Sequence, residues 1–255
     1  MSQKFEVRFD EFIKALGGER IPPASTQGEM RADYIFRRSA TLLIDVILEL
    51  KSLEEEGYDL YLAKAQAMAS EWIKTGRLIV VGKVAVNYRD LSPELRIDWD
   101  NILLPFAQNL VRKANRQIKK TKADLKLPDA KGVILCVNEG NYAHFPTDFL
   151  TLVSRLFDPK RKQYTSTDSV EYFSAPGVGL ASVAGLPAGA GWFIGARREP
   201  KEPALETFRD NMRKRYGEWL AREQGLINRE HLVDPDAIHK ARPKLGVEVV
   251  KTIKK

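Results

Sequence analysis

The chain has 255 residues, of which 44% are hydrophobic and 29% charged, a composition typical of a globular protein with one large domain or a core domain and an appendage. Lysine and arginine exceed aspartate and glutamate by 41 to 34, and the net charge of +7 favours an anionic partner such as nucleic acid. A single cysteine excludes an internal disulfide and a zinc site built from cysteines, and three scattered histidines argue against a zinc enzyme.

Two segments bear on membrane insertion and targeting. The N-terminal residues MSQKFEVRFDEF carry charges and no apolar core, so we expect no signal peptide and a cytoplasmic protein. The uncharged stretch 174–196 is long enough to cross a bilayer, but it is rich in glycine and interrupted by Pro176 and Pro187. We interpret it as a glycine-rich loop that leads into a strand at 192–196, and we expect no membrane partner. The loop lacks a dinucleotide or phosphate-loop signature.

Hydrophobic periodicity predicts an alternation of helices and strands along the chain. The first helix, Phe5–Leu16, ends at a Gly-Gly pair, and a long basic helix, Ile102–Leu125, ends before Pro128. The other predicted elements are, in chain order, strands around 34–36 and 41–50, a helix at 60–74, a strand or hairpin at 77–88, a strand at 132–138, a helix at 147–157, strands at 170–173 and 192–196, and a helix at 204–223.

The residues LLIDVILELK, from Leu42 to Lys51, have the pattern of a central strand. The run is apolar on both faces, as in a strand that is covered on each side. Alternation places Glu49 and Lys51 on the same face. Charges at the end of such a strand are costly unless they are paired or bind an ion. Two interpretations are open: a structural Glu–Lys ion pair, or part of a functional site.

A functional site of this kind needs a second carboxylate, and the preceding strand, which opens with Asp33, provides one. Two carboxylates and a nearby main-chain carbonyl, that of Leu50, suit a hard cation such as Mg²⁺. Such an ion polarises a phosphoryl oxygen and lowers the pKa of a bound water. A lysine beside the ion offsets the charge that develops during phosphodiester cleavage.

Several segments together resemble the PD-(D/E)xK nuclease superfamily, which has the restriction-endonuclease-like fold. The resemblance covers roughly the first 160 residues and is carried by the N-terminal helix and by the segments ERIPPASTQGEMRADYIF, LLIDVILELK, QNLVRKANRQIKKTKADL and GVILCVNEGN. It implies an α/β protein with a mixed central sheet flanked by helices. Residues 1–160 would form the core, with an insertion around 55–100, and residues 161–255 a C-terminal extension that completes the domain.

The same resemblance implies the roles of the site residues. Asp33 and Glu49 are expected to bind Mg²⁺, or Mn²⁺ in its place, Lys51 to serve catalysis, and the substrate to be DNA. Ala32 stands where a proline usually precedes the aspartate. A tight turn near Ser39 would place Asp33 opposite Asp45, so the resemblance implies strands that splay at this end and let Asp33 and Glu49 converge on one ion.

The basic helix supplies candidate contacts to phosphates. Lys113, Arg116, Gln117 and Lys120 are predicted DNA-binding residues, and a solvated helix face is the alternative explanation for the charges. In the superfamily the helix after the lysine strand lines the site, which points to Gln117 and Lys113. Glu11 is the available match for an additional acidic ligand from the first helix.

Two other functions are open from the sequence: a non-catalytic nucleic-acid-binding or assembly module that retains the fold, and a small-molecule enzyme that uses the glycine-rich loop. A homodimer or larger nuclease assembly is a further expectation.

Cys136, in the apolar run GVILCV, is predicted to be a core residue. The basic residues of the last helix either contact phosphates or form a solvated helix face: Arg209, Arg213, Lys214 and Arg215.

Overall fold

The computed structural model of the chain describes residues 3–23, 30–53, 58–79, 83–86, 91–138, 146–157, 163–174, 193–197, 202–223 and 247–250. Its helices are α1 (Gln3–Ala15), α2 (Tyr58–Lys74), α3 (Pro93–Asp124), α4 (Pro146–Leu156) and α5 (Pro203–Glu223). Its strands are β1 (Glu19–Arg20), β2 (Tyr34–Phe36), β3 (Val46–Leu53), β4 (Lys83–Val86), β5 (Lys131–Asn138), β6 (Ser169–Ser174), β7 (Phe193–Arg197) and β8 (Val247–Val250).

Six of the strands form one mixed sheet in the order β1-β2-β3-β5-β6-β7. The central strands β3, β5 and β6 are parallel, and α3 makes the crossover between β3 and β5. Antiparallel strands flank them on both sides, β2 and β1 beside β3, and β7 beside β6. The predicted α/β class with a mixed sheet and flanking helices is therefore confirmed. Strands β6 and β7, from the second part of the chain, pair within this same sheet.

Alternating side chains of β3 enter two separate cores, because successive residues of a strand point to opposite faces of the sheet. Ile47 and Leu53 lie in a cluster with α3 and α4, on what we call the α3 face. Leu48 and Leu50 lie in a cluster with α1 and α5, on what we call the α1 face. Cys136 is fully buried within the α3-face cluster, as predicted for a core residue.

A third, smaller cluster lies at the other end of α3. Trp72 of α2 packs there with Trp99 and Leu95 from the first turns of α3. The side chain of Asp98 accepts hydrogen bonds from Trp72 Nε1 at 3.0 Å and from Arg77 Nη1 at 2.7 Å. These residues belong to the segment predicted as an insertion, and the strands β4 and β8 form a separate two-stranded sheet.

The predicted helix at 102–125 begins nine residues earlier than expected, at Pro93. Ser92 is its N-cap and accepts a hydrogen bond from the Leu95 amide at 3.4 Å, while Pro93 occupies the first turn, where its missing N–H costs nothing. The polar residues between Tyr88 and Trp99 are typical of a turn, so the sequence predicted no helix there. The Ser-Pro pair is in fact a helix start, and Pro105 lies inside α3.

The strand predicted at 41–50 is also shifted, because it begins at Val46. Asp45 ends the preceding loop: its side chain accepts a hydrogen bond from the Arg38 amide at 3.0 Å, and its carbonyl accepts one from the Lys131 amide at 2.8 Å. Residues 175–192 of the predicted glycine-rich loop lie outside the described residues. Among the helices that the structure describes, none is long and apolar enough to cross a membrane.

Candidate active site

The register of the β2–β3 hairpin brings Asp33 to Glu49. Tyr34 pairs with Leu48 and Phe36 with Val46, so the next residue of β2 toward its start, Asp33, lies opposite Glu49. Residues 37–45 form a wide connection in place of the tight turn considered above. Strand splaying is therefore not needed, and Asp45 lies at the other end of the hairpin, where it caps the loop.

Glu49 lies on the α3 face and only 1% of its surface is exposed. One carboxylate oxygen, Oε1, contacts the Lys51 ammonium. The other, Oε2, is buried and has no hydrogen-bond partner. Buried carboxylate oxygens are rarely left without a donor or a cation, so an unpartnered oxygen here indicates a place where something else binds.

Burial and, to a lesser extent, the negative charge of Asp33 raise the pKa of Glu49 from an ordinary 4.5 to about 8. The Lys51 ammonium and the Gln117 amide act against this shift without cancelling it. The buried Glu49 carboxyl thus lies beside a second carboxylate, and the nearby Lys51 ammonium does not fully balance the two.

Lys51 is held on the α3 face by two contacts. Its Nζ donates to Glu49 and, at 3.0 Å, to Oε1 of Gln117 on α3. Its side chain is 23% exposed, so the ammonium lies at the boundary between the core and solvent. Gln117, predicted as a second-tier site residue, is 7% exposed and turns its amide into the site.

The segment that leads to Asp33 is attached to the same face of α3. Gln117 Nε2 donates to the carbonyl of Arg31 at 3.3 Å, and the amide of Ala32 donates to Thr121 Oγ1 at 2.8 Å. Thr121 is fully buried and donates in turn to the Gln117 carbonyl at 2.9 Å. Because one helix face fixes both Lys51 and the approach to Asp33, the positions of the three charged groups depend on a single element.

Leu50 contributes its main chain to the site. Its amide donates to Asp33 Oδ2 at 2.8 Å, while its side chain points into the α1-face core. A residue of an extended strand directs its N–H and C=O toward the same neighbour, so the Leu50 carbonyl, predicted as a metal ligand, faces the Asp33 side.

Comparisons with protein-family models, with curated proteins and with solved structures give no match for this chain. What the site can do is therefore argued from its own residues.

The residues fit a hard divalent cation that keeps several waters. Within the described ranges no group of three or more histidine, cysteine, aspartate and glutamate side chains is found, so a site built entirely from protein side chains is not seen there. Mg²⁺ binds through one or two carboxylates and retains water. Asp33 and the unpartnered Oε2 of Glu49 supply that oxygen donor set.

The other predicted residues are placed as follows. Lys113 and Arg116 are exposed on α3, on the solvent side of Gln117, and Lys120 forms an ion pair with Asp124 at 3.2 Å. Glu11 is exposed on α1, which packs on the opposite face of the sheet from Glu49. Among the described residues, no contact joins Glu11 to the site.

Sequence reasoning missed the residues that join Asp33 to α3, namely Arg31, Thr121 and Asp124. Arg31 Nε donates to Asp124 Oδ2 at 2.8 Å. A weak signal was present, because Gln117, Thr121 and Asp124 follow the i, i+4, i+7 spacing of one helix face. The segment that this face meets could not be inferred from that spacing alone.

Proposed function

We propose that this protein is a metal-dependent nuclease that hydrolyses phosphodiester bonds of DNA, with Asp33, Glu49 and Lys51 at its active site. The observation that carries the proposal is the buried Glu49 carboxylate, which has one oxygen without a partner and lies beside a second carboxylate. A purely structural ion pair would not require Asp33, whose charge makes Glu49 harder to ionise.

In this proposal Asp33, Glu49 Oε2 and the Leu50 carbonyl hold Mg²⁺, or Mn²⁺ in its place. Such an ion would polarise a phosphoryl oxygen of the substrate and lower the pKa of a bound water. Lys51 places its ammonium beside the carboxylates and offsets negative charge that develops on the phosphate. Gln117 keeps that ammonium in position through its 3.0 Å contact, so it is a positioning residue.

The order of the elements supports the same proposal. The helix α1, the antiparallel strands β1, β2 and β3, the crossover helix α3 and the parallel strand β5 follow each other in the order expected from the resemblance to the PD-(D/E)xK superfamily. We therefore propose a restriction-endonuclease-like core. The exposed lysine and arginine side chains of α3 lie on the solvent side of Gln117, where they attract a nucleic-acid backbone.

The test is a cleavage assay on linear, circular and single-stranded DNA with Mg²⁺, Mn²⁺ or EDTA. Wild-type protein is expected to cut only with a cation, and Glu49→Gln and Lys51→Met are expected to lose at least a hundredfold in rate, because each removes a charge that acts on the transition state. Lys131→Met is the matched control: it is a partly buried lysine at the start of β5 whose ion-pair partner is Glu202 at 3.5 Å.

Cutting that survives in both site variants would show that Asp33, Glu49 and Lys51 are not the active site. Folded wild-type protein that binds DNA without cutting any substrate would instead support the non-catalytic module, in which the Lys51–Glu49 contact is structural. Circular dichroism on all variants separates loss of activity from loss of fold.

A further inference from the structure

Arg31, two residues before Asp33, has a guanidinium group that contacts the described protein through its Nε. Its Nε donates to Asp124 Oδ2 at 2.8 Å, and its side chain is 25% exposed. Within the described part of the chain, no partner contacts its two terminal nitrogens. The group is thus oriented by one strong contact and presents a pair of donors to solvent.

Asp124 holds a second cation at the same time. Its Oδ1 accepts from Lys120 Nζ at 3.2 Å, so one carboxylate orients two positive groups. The hydrogen bond from Arg31, followed by that from Lys120, holds the pKa of Asp124 below its ordinary value. The three side chains together carry a net charge of about +1 at neutral pH, because two cations share one carboxylate.

The cluster of Arg31, Asp124 and Lys120 is connected to the candidate active site through α3. The Arg31 carbonyl accepts from Gln117 Nε2, and Gln117 also contacts Lys51. Asp124 follows Gln117 by seven residues on the same helix face, a distance of ~10 Å along the axis. The Arg31 guanidinium is therefore held one to two helical turns along α3 from the Gln117–Lys51 contact, outside the Asp33–Glu49 pair.

We propose that Arg31, oriented by Asp124 and accompanied by Lys120, binds a backbone phosphate of DNA on the α3 side of the proposed cleavage site. A guanidinium fork matches two phosphate oxygens, and a fork that is already held by a carboxylate loses little freedom on binding. Arg31 is thus a substrate-positioning residue. This inference rests on the proposed function, since it takes DNA as the substrate.

The experiment measures binding of a fluorescent 20-base-pair DNA duplex in EDTA, where no cleavage takes place, over a series of salt concentrations. For Arg31→Gln the slope of log K against log[salt] is expected to become less steep by about 0.9, the value for one lost phosphate contact. Arg31→Lys keeps the charge and is expected to keep the slope while binding more weakly. Arg20→Gln is the matched control, because Arg20 contacts Asp10 through one nitrogen at 2.7 Å on the α1 side of the sheet.

The variant Asp124→Asn distinguishes the orienting effect of Asp124 on Arg31 from its effect on the net charge of the protein. The substitution makes the protein more positive, so an unspecific electrostatic effect would tighten DNA binding. If Asp124 orients Arg31, the variant is expected to bind DNA several-fold more weakly in spite of its higher net charge.

An unchanged salt slope in folded Arg31→Gln, or tighter binding by Asp124→Asn, would overturn the inference while leaving cleavage by the wild-type protein intact. Failure of the proposed function has a different outcome: the folded wild-type protein then cuts no DNA with Mg²⁺ or Mn²⁺. If it also fails to bind the duplex in EDTA, this inference falls together with the proposed function.

Discussion

Glu49 is the residue at which stability and the proposed activity conflict. Its carboxylate is almost fully buried next to Asp33, and Lys51 is the one cation that contacts it in the described structure. A buried charge beside a like charge opposes folding, and groups of this kind are typical of functional sites. The arrangement is favourable when a cation balances the two carboxylates.

The conflict predicts a pH-dependent gain in stability for Glu49→Gln in EDTA. The pKa of Glu49 is about 8 in the folded protein and 4.5 as its ordinary value, so the folded state binds the extra proton between these pH values. The wild-type protein therefore loses stability as the pH rises from about 4.5 to 8, whereas the glutamine variant does not lose this contribution. We expect the variant to exceed wild type by at least ~1.4 kcal/mol at pH 9, the equivalent of one pKa unit, and by little at pH 5.

Urea unfolding at several pH values measures this difference. Glu11→Gln, on the exposed face of α1, serves as the control, and its stability difference from wild type should not change over the same range. A Glu49→Gln variant that is less stable than wild type at pH 9 would contradict the assigned burial and charge balance.

Among the elements, α5 is held to the sheet by a buried charge network. Glu171 of β6 is fully buried, and its two oxygens accept from Arg209 Nε and, at 2.7 Å, from Arg213 Nη2. Gly195 of β7 lies opposite Glu171, and a Cβ at this position would come within 2.4 Å of the carboxylate. Both sequence interpretations of Arg209 were therefore wrong, because this side chain neither faces solvent nor remains available to phosphate.

Removal of one arginine from this network is expected to be costly. Arg209→Met leaves the Glu171 carboxylate with Arg213 as its remaining cation, and we expect a loss of about 3 kcal/mol in the free energy of unfolding. The double variant Glu171→Leu, Arg209→Met is expected to recover much of this loss, because it removes the buried charge as well. Urea unfolding checks both values.

Arg215→Met is the control on the same helix, since Arg215 is 60% exposed and contacts Glu218 at 3.3 Å. An exposed pair of this kind contributes at most about 1 kcal/mol. Equal losses in Arg209→Met and Arg215→Met would show that the buried network does not hold α5.

In the molecule as a whole, α3 contributes to two apolar clusters of different size, the α3-face cluster and the small cluster around Trp72 and Trp99. Its C-terminal half packs on the six-stranded sheet, while its first turns pack with α2 in the small cluster around Trp72 and Trp99. Pro105 lies between the two halves and removes one helical hydrogen bond. The strands β3 and β5 are covered on both faces and paired on both sides. In the described part of the chain, α2 packs mainly on α3 and β8.

This difference predicts two levels of hydrogen-exchange protection. Amides of β3 and β5 are expected to exchange only through global unfolding, and those of α2 through local opening at a lower free energy, because the small cluster buries fewer apolar side chains. Hydrogen-exchange mass spectrometry of the wild-type protein measures both. Equal protection of α2 and β5 would show that the whole chain opens as one unit.

Much of the fold follows from local patterns in the sequence. The apolar run that ends at Leu53 and the run GVILCV specify central strands, and the two-residue period of a strand is enough to place Glu49 and Lys51 on one face. Element boundaries were less well predicted: α3 begins at Pro93, nine residues before the predicted start, because Ser92 caps it and Pro93 fits its first turn.

The sequence by itself determined which residues are apolar and at what period, and so the helices, the strands and the common face of Glu49 and Lys51. Only the tertiary structure decided that Asp33 meets Glu49, because register depends on the whole connection 37–45 and on how both strands pack. Only the tertiary structure could show likewise that Lys51 donates to Gln117, Arg31 to Asp124 and Arg209 to Glu171. These contacts join residues 38 to 93 positions apart, and periodicity carries no information about partners at that separation.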